Sequence, residues 1–225
     1  RNVLFSVDFN ATALQNEVLR VPEGVDFIPG AAFGVGGSVA TRFEEGFPIG
    51  YFIGYQTDGI WQSQAEIDAS PVQQDGAKPG DLRFVDQNGD GVISFGNDED
   101  KTMIGSPIPD FTFGLNLSAR YKGFDISANL YAAIGQEIIR NYERQQPYAN
   151  QLDYVIDRWV VPGDVTDVPR VTTGATRNTE FSDFFVEDGS FARLRNVQLG
   201  YQLPRAISQK FGFQSLRVYV SANNL

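Results

Sequence analysis

The sequence predicts an all-β fold and, within that class, a partial segment of a large antiparallel transmembrane β-barrel with long extracellular loops. Three observations predict it. Apolar and polar residues alternate over stretches longer than the roughly 5 to 6 residues usual for strands of globular domains. The polar faces carry mostly Thr, Ser, Asn, Gln and Gly, where a sheet face meeting bulk water would be rich in Lys and Glu. The connections are long on one side and short on the other, as in barrels with long external loops and tight turns. A soluble sandwich shows no such rule.

In chain order, Val3, Phe5, Val7 and Phe9 oppose Leu4, Ser6, Asp8 and Asn10 as a first strand. Gly36 to Phe43 is a weaker candidate, and Gly46 to Trp61 reads as one long, aromatic, Gly-rich strand with poorer alternation. Phe111, Phe113, Leu115, Leu117 and Ala119 share a face opposite Thr112, Gly114, Asn116, Ser118 and Arg120. Only Tyr121-Lys122-Gly123 then precedes Phe124, Ile126, Ala128, Leu130 and Ala132, which oppose Asp125, Ser127, Asn129 and Tyr131. That spacing predicts a tight hairpin. Val197 to Leu203 and Leu216 to Ala222 alternate likewise, while Arg205 to Phe211 and Gln151 to Trp159 are the helix candidates. Long excursions run from about Ser63 to Asp110 and from about Gly135 to Gly189; the side of the loop from Ala13 to Phe33 stays open.

Composition narrows the chemistry. The 225 residues include no His and no Cys. Disulfides, Cys/His zinc sites, a Ser-His-Asp triad and a Cys-His pair are therefore impossible within the chain. Lys and Arg number 18 against 28 Asp and Glu, a net charge of −10, with no Lys/Arg run longer than two residues, which argues against a nucleic-acid or polybasic membrane-surface role. No run of apolar residues is long enough for a membrane-spanning helix, a test that barrel strands escape. Nothing at Arg1 to Asn10 has a leader layout, and the chain reads as a fragment.

The chemical motif of quality is Asp86-Gln87-Asn88-Gly89-Asp90-Gly91-Val92-Ile93-Ser94. It matches the first half of a calcium loop, with side-chain oxygens at alternate positions and a glycine for the sharp turn. Val92 would offer its carbonyl and Ser94 a side-chain or water-mediated contact. Asn97 stands where a bidentate Glu is usual, so Asp100 closes the site across an insertion, or Asp98 closes it, or the site is weak. The competing reading is a metal-free turn, because Asn-Gly and Asp-Gly also form turns strongly.

Other features are less specific. Glu137 with Glu143, or Asp183 with Glu187, could serve as a glycosidase pair, but two spaced acids are expected by chance among 28. Tyr51, Phe52, Tyr55, Trp61, Tyr142, Tyr148, Tyr154 and Trp159 could stack on sugars or sit at a membrane interface; packing between loops is preferred for each. Gly34 to Gly37 reads as a flexible turn.

Three runs resemble, in order, the late barrel of SusC-like TonB-dependent outer-membrane transporters. They are Phe47 to Trp61 (FPIGYFIGYQTDGIW), Pro79 to Ile93 (PGDLRFVDQNGDGVI) and Ile104 to Asn116 (IGSPIPDFTFGLN). The resemblance continues through Asp188 to Tyr201 and Leu216 to Leu225, with Arg140 to Ser182 least distinctive. It implies that residues 1 to 225 are a C-terminal portion of such a barrel, with the acidic loop 86 to 100 inside an external loop and the plug domain elsewhere. It implies a Gram-negative outer membrane and import of glycan or peptide fragments without bond-making chemistry. The implied partners are a SusD-like surface lipoprotein that lids the barrel, the TonB complex through parts outside this chain, outer-membrane lipid, and an oligosaccharide or peptide substrate. In that family the acidic loop is usually shorter before a closing Asp-Lys or Asp-Arg, which here would be Asp100-Lys101. The metal role implied by the resemblance falls on Asp86, Asn88, Asp90, Val92, Ser94 and Asp100, with Ca2+ as the ion. The rival readings are a secreted soluble β-sandwich binding calcium and carbohydrate and, behind it, a surface esterase or glycosidase. The barrel reading requires apolar strand faces turned toward lipid and polar faces toward an enclosed interior.

Overall fold

The structure, a computed structural model, describes residues 3–34, 37–141 and 150–225. In chain order these form β1 (Leu4–Ala13), β2 (Phe27–Pro29), β3 (Thr41–Glu44), β4 (Tyr51–Tyr55), β5 (Thr57–Ile60), helix α1 (Gln64–Asp68), β6 (Val72–Gln73), β7 (Leu82–Phe84), β8 (Val92–Ile93), β9 (Lys101–Gly105), β10 (Phe111–Tyr121), β11 (Phe124–Ile134), β12 (Glu137–Ile139), β13 (Val186–Asp188), β14 (Phe191–Gln202), helix α2 (Arg205–Ser208) and β15 (Arg217–Asn223). Short 3-10 turns occur at Asp153–Asp157, Asp183–Phe185 and Gln209–Phe211. The chain divides into two compact units.

The first unit comprises residues 1–15, 108–136 and 189–225. It is an antiparallel sheet in the order β1-β10-β11-β14-β15. The predicted alternation is realised along each strand. Facing positions place Asp8, Asn116, Asn129, Asn196 and Asn223 in one row across the polar face, with Ser6, Ser118, Ser127, Gln198 and Ser221 in the next. Asn116 and Asn129 are hydrogen-bonded through their side chains, as are Asn196 and Asn223. Such cross-strand pairs fix register where a one-residue slip would invert both faces. The opposite face is apolar and uncovered: Phe5 is 69% exposed, Phe124 55% and Ile126 48%. A soluble sandwich would seal those side chains against a second sheet. Among the described residues no second sheet covers this face, so the geometry gives that rival no support.

The registers also fix which strand ends coincide. Ala13 faces Phe111, Phe111 faces Ile134, and Ala133 faces Phe191, so the two long connections leave from the same end of the sheet. At the other end Tyr121 pairs Phe124 across Lys122-Gly123, and Gln202 pairs Arg217. Lys122 (φ 48°) and Gly123 (φ 89°) both take left-handed conformations, the requirement of the two-residue hairpin turn that suits strand twist.

The second unit comprises residues 16–107 and 137–188. It holds a four-stranded sheet in the order β2-β3-β4-β9 and the pairs β5-β7, β6-β8 and β12-β13; β6-β8 is parallel. Two aromatic clusters form its core, one around Tyr55, Phe84, Phe95 and Trp159, the other around Phe33, Phe52, Phe181 and Phe185. Here the prediction of one long strand over 46–61 is corrected. Gly46 and Gly50 sit at positive φ ahead of β4, and β4 and β5 pair in different sheets. All five residues of β4 are buried, so both of its faces are apolar and alternation is lost. The first excursion accordingly begins near Asn16. The weak candidate at 36–43 becomes β3, shifted to Thr41–Glu44. The 151–159 candidate is a 3-10 turn, while 205–211 is helical as predicted.

Candidate functional site

β7 delivers the chain into the acidic loop, anchored by the Val85 amide donating to the Gln56 carbonyl (3.0 Å). The Asp86 carboxylate accepts from the amides of Gly89 (2.7 Å) and Gly91 (2.9 Å). Asn88 Oδ1 accepts from the Asp90 amide (2.9 Å), and Asp90 Oδ1 from the Val92 amide (2.8 Å). These are side-chain-to-backbone turns, and they need Gly89 (φ 74°) and Gly91 (φ 87°) in a conformation that costs glycine nothing. β8 then pairs with β6, the Val72 amide donating to the Gly91 carbonyl (2.9 Å) and the Gln74 amide to that of Ile93 (2.9 Å).

Asp100 is fully buried. Its carboxylate accepts from the Gln87 amide (3.0 Å) and the Ser94 amide (2.7 Å), so it clasps the two limbs of the loop. Desolvation of that carboxylate is offset by these charge-assisted hydrogen bonds. Asp98 points elsewhere, into an ion pair with Arg42 (2.5 Å) and Lys101 (3.1 Å). Partial burial opposes the Asp98 charge, but the two cations outweigh it and hold the carboxyl below its usual range. The structure thus links Asp86, Asn88 and Asp90 within one turn and ties Asp100 to Gln87 and Ser94. Among the described residues no three acidic side chains are brought together so that they could hold a metal ion.

Residues 95–97, which read as an insertion, anchor the loop. The Phe95 ring lies 5.0 Å from that of Tyr55 and 5.2 Å from that of Phe84, and the Gly96 amide donates to the Tyr55 hydroxyl (3.2 Å). Burial pushes the Tyr55 hydroxyl up to about 12. The sequence signal was available in Phe95 itself, an apolar side chain inside an otherwise polar loop.

Just upstream lies a second polar centre that the sequence reading did not single out. Asp81 is buried and accepts from Arg170 Nε (2.7 Å) and Nη2 (3.1 Å), Thr176 Oγ1 (3.1 Å), Asn178 Nδ2 (3.1 Å) and the Lys78 amide (2.9 Å). It joins the first excursion to the second. Gly80 precedes it because the Trp159 ring packs against the backbone there: a Cβ would stand 2.3 Å from Trp159 Cε3.

The remaining candidates are structural in character. Tyr51, Phe52, Tyr55, Trp61 and Trp159 are buried, so packing claims them, whereas Tyr142, Glu143 and Tyr148 lie outside the described residues. Glu137 accepts from the Ser106 amide (2.7 Å), Asp183 from the Thr57 hydroxyl (2.6 Å), and Glu187 pairs with Arg140 (3.1 Å).

No family model matches the chain. Among curated proteins it is 35% identical over 225 residues to TonB-dependent receptor P3 of Formosa agariphila, covering 98% of this chain and 22% of that one. To TonB-dependent receptor P26 of the same organism it is 34% identical, over 94% and 21% respectively. TonB-dependent receptor SusC of Bacteroides thetaiotaomicron is 24% identical, over 100% and 21%. The chain thus spans about a fifth of the length of these relatives. Among solved structures, the RagAB peptide transporter superposes with a TM-score of 0.70 at 23% identity, over 99% of this chain and 23% of that one. The RagAB peptide importer in its open-open state gives 0.70 at 25%, over 100% and 23%. These relatives are named as receptors, a transporter and an importer. The chain is therefore similar, over nearly its whole length, to a segment of the SusC-like TonB-dependent receptors, and its fold is that of part of an antiparallel β-barrel.

Proposed function

We propose that this chain is a C-terminal portion of the barrel of a SusC-type transporter, working in the outer membrane of a Gram-negative bacterium in TonB-dependent import of nutrient oligomers. The observation that carries this reading is the five-stranded sheet, whose apolar face is uncovered and whose polar face is a belt of amides and hydroxyls. Lipid suits the first and a hydrated lumen the second. The two excursions are then external loops that meet substrate and a SusD-like lipoprotein lid, while the TonB complex acts through parts outside this chain. Peptide cargo is favoured by the likeness to the RagAB peptide importer, and glycan cargo is the alternative that the family resemblance implies. Salt-washed membranes test the placement: the full-length protein is expected to need detergent for release, and extraction by buffer alone would overturn the barrel. Uptake of labelled peptide and glycan oligomers by a deletion strain, with and without the restored gene, identifies the cargo.

We propose further that the acidic loop takes Ca2+ through Asp86, Asn88, Asp90, the Val92 carbonyl, Ser94 and Asp100. Hard oxygen donors at alternate positions support this, as does a backbone already turned by Gly89 and Gly91. Against it, both Asp100 oxygens already accept amides. Calorimetric titration of the full-length protein with calcium is expected to show binding that Asp90→Ala abolishes; an unchanged isotherm leaves a self-sufficient turn.

A further inference from the structure

The end of the sheet that bears the Lys122-Gly123 turn also bears the connection between β14 and β15. After Pro204, α2 and the 3-10 turn Gln209–Phe211 make one short helical stretch, stopped by Gly212 in a left-handed conformation (φ 78°). Ile207 and Phe211 are four residues apart along it. Phe213 follows the stop. All three are open to the surroundings: Ile207 is 43% exposed, Phe211 66% and Phe213 53%. The connection is nevertheless fixed. Ser208 is fully buried, its amide donates to the Pro204 carbonyl (3.1 Å), and its own carbonyl accepts from the Phe213 amide (3.1 Å).

Charge singles out the same stretch. From Gly189 to Leu225 the chain contains no Asp or Glu, although it carries 28 acids in all. Arg205 precedes Ile207, Lys210 precedes Phe211, and Lys122 sits in the neighbouring turn. None of these three cations forms an ion pair among the described residues, whereas Arg217 is committed to Asp125 (2.5 Å). Phe124 and Val218, on the apolar face at this same end, are exposed as well.

We propose that residues 204–214 form an interfacial contact with the phospholipid headgroup layer at the turn end of the barrel. Ile207, Phe211 and Phe213 enter the headgroup-acyl boundary, and Arg205, Lys210 and Lys122 meet anionic phosphates. Short amphipathic segments with aromatics on one side and cations beside them bind interfaces in this way, more tightly when the lipid is anionic. The inference rests on the proposed membrane-spanning role of the sheet, and its test separates the two.

The full-length receptor, with nitroxide attached at Phe211→Cys or at Val220→Cys on the apolar strand face, is reconstituted in phosphatidylcholine vesicles with and without phosphatidylglycerol. Label at 220 is expected to be relaxed by oxygen and shielded from an aqueous nickel chelate. Label at 211 is expected to lose most of its nickel accessibility, further so with phosphatidylglycerol, and Arg205→Gln with Lys210→Gln is expected to remove that further loss. A 211 label open to nickel in both vesicles, beside a shielded 220 label, overturns the interfacial contact and leaves the barrel standing. A 220 label open to nickel overturns both.

Discussion

At Gly80 two constraints coincide: a φ of 89° and a tryptophan ring where a side chain would start. Gly80→Ala is expected to destabilise the excursion unit by about 2 to 3 kcal/mol, combining backbone strain with overpacking. Gly59 is the control, with φ 86° but open space around its Cβ position, so Gly59→Ala should cost only about 1 kcal/mol. Limited proteolysis of the full-length protein over a temperature series reads both; equal midpoints would mean that Trp159 yields freely. Asp98 gives a pH-dependent counterpart. Its carboxyl is held low in the folded state, so the stability it confers is complete above an unfolded value of about 4 and is lost as the pH falls through the lower folded value. Because Asp98 is half exposed, the loss should stay under about 1 kcal/mol. Asp98→Asn is expected to remove this acid-dependent part, measured as the difference in proteolytic midpoint between about pH 5 and about pH 3.

At the scale of elements, the β10-β11 hairpin depends on a turn that uses one residue suited to it and one that is not. A Cβ on Gly123 would meet the Gln202 carbonyl at 2.8 Å while holding φ at 89°. Gly123→Ala should therefore cost about 2 kcal/mol, whereas Lys122→Asn should gain about 0.5 kcal/mol by suiting the left-handed position. The shift in the temperature at which the full-length protein unfolds in detergent checks both signs. This hairpin was legible because each strand has one apolar and one polar face. β15 and most of β1 were legible for the same reason. β14 was legible only from Val197 onward: Arg193 and Arg195 precede it, and the register slips beside Leu130. β4 was misread because burial on both sides erases the period that alternation relies on. In the acidic loop the sequence located Asp86, Asn88 and Asp90 in their turn. The role of Asp100 as a clasp was not legible, because a carboxylate that binds a cation and one that binds two amides are written with the same residue.

For the whole molecule, the sequence charge of −10 conceals a partition. The sheet unit holds 8 Lys and Arg against 3 Asp and Glu, and the excursion unit 10 against 25. No charged residue lies on the apolar face of β1, β10 or β11, where desolvation without a partner would cost several kcal/mol at mid-depth. Acidic groups therefore collect in segments free to be hydrated. Both excursions leave from one end of the sheet and the tight turn from the other, so orientation can be read at two points of the full-length protein in living cells. A short epitope inserted after Val165, which is fully exposed, is expected to bind antibody on intact cells. The same epitope inserted between Lys122 and Gly123 should bind only after the outer membrane is permeabilised. Reversed labelling would invert the orientation and place the long excursions in the periplasm. Labelling at both sites on intact cells would mean that no membrane separates the two ends, and the transporter assignment would then fall with the barrel.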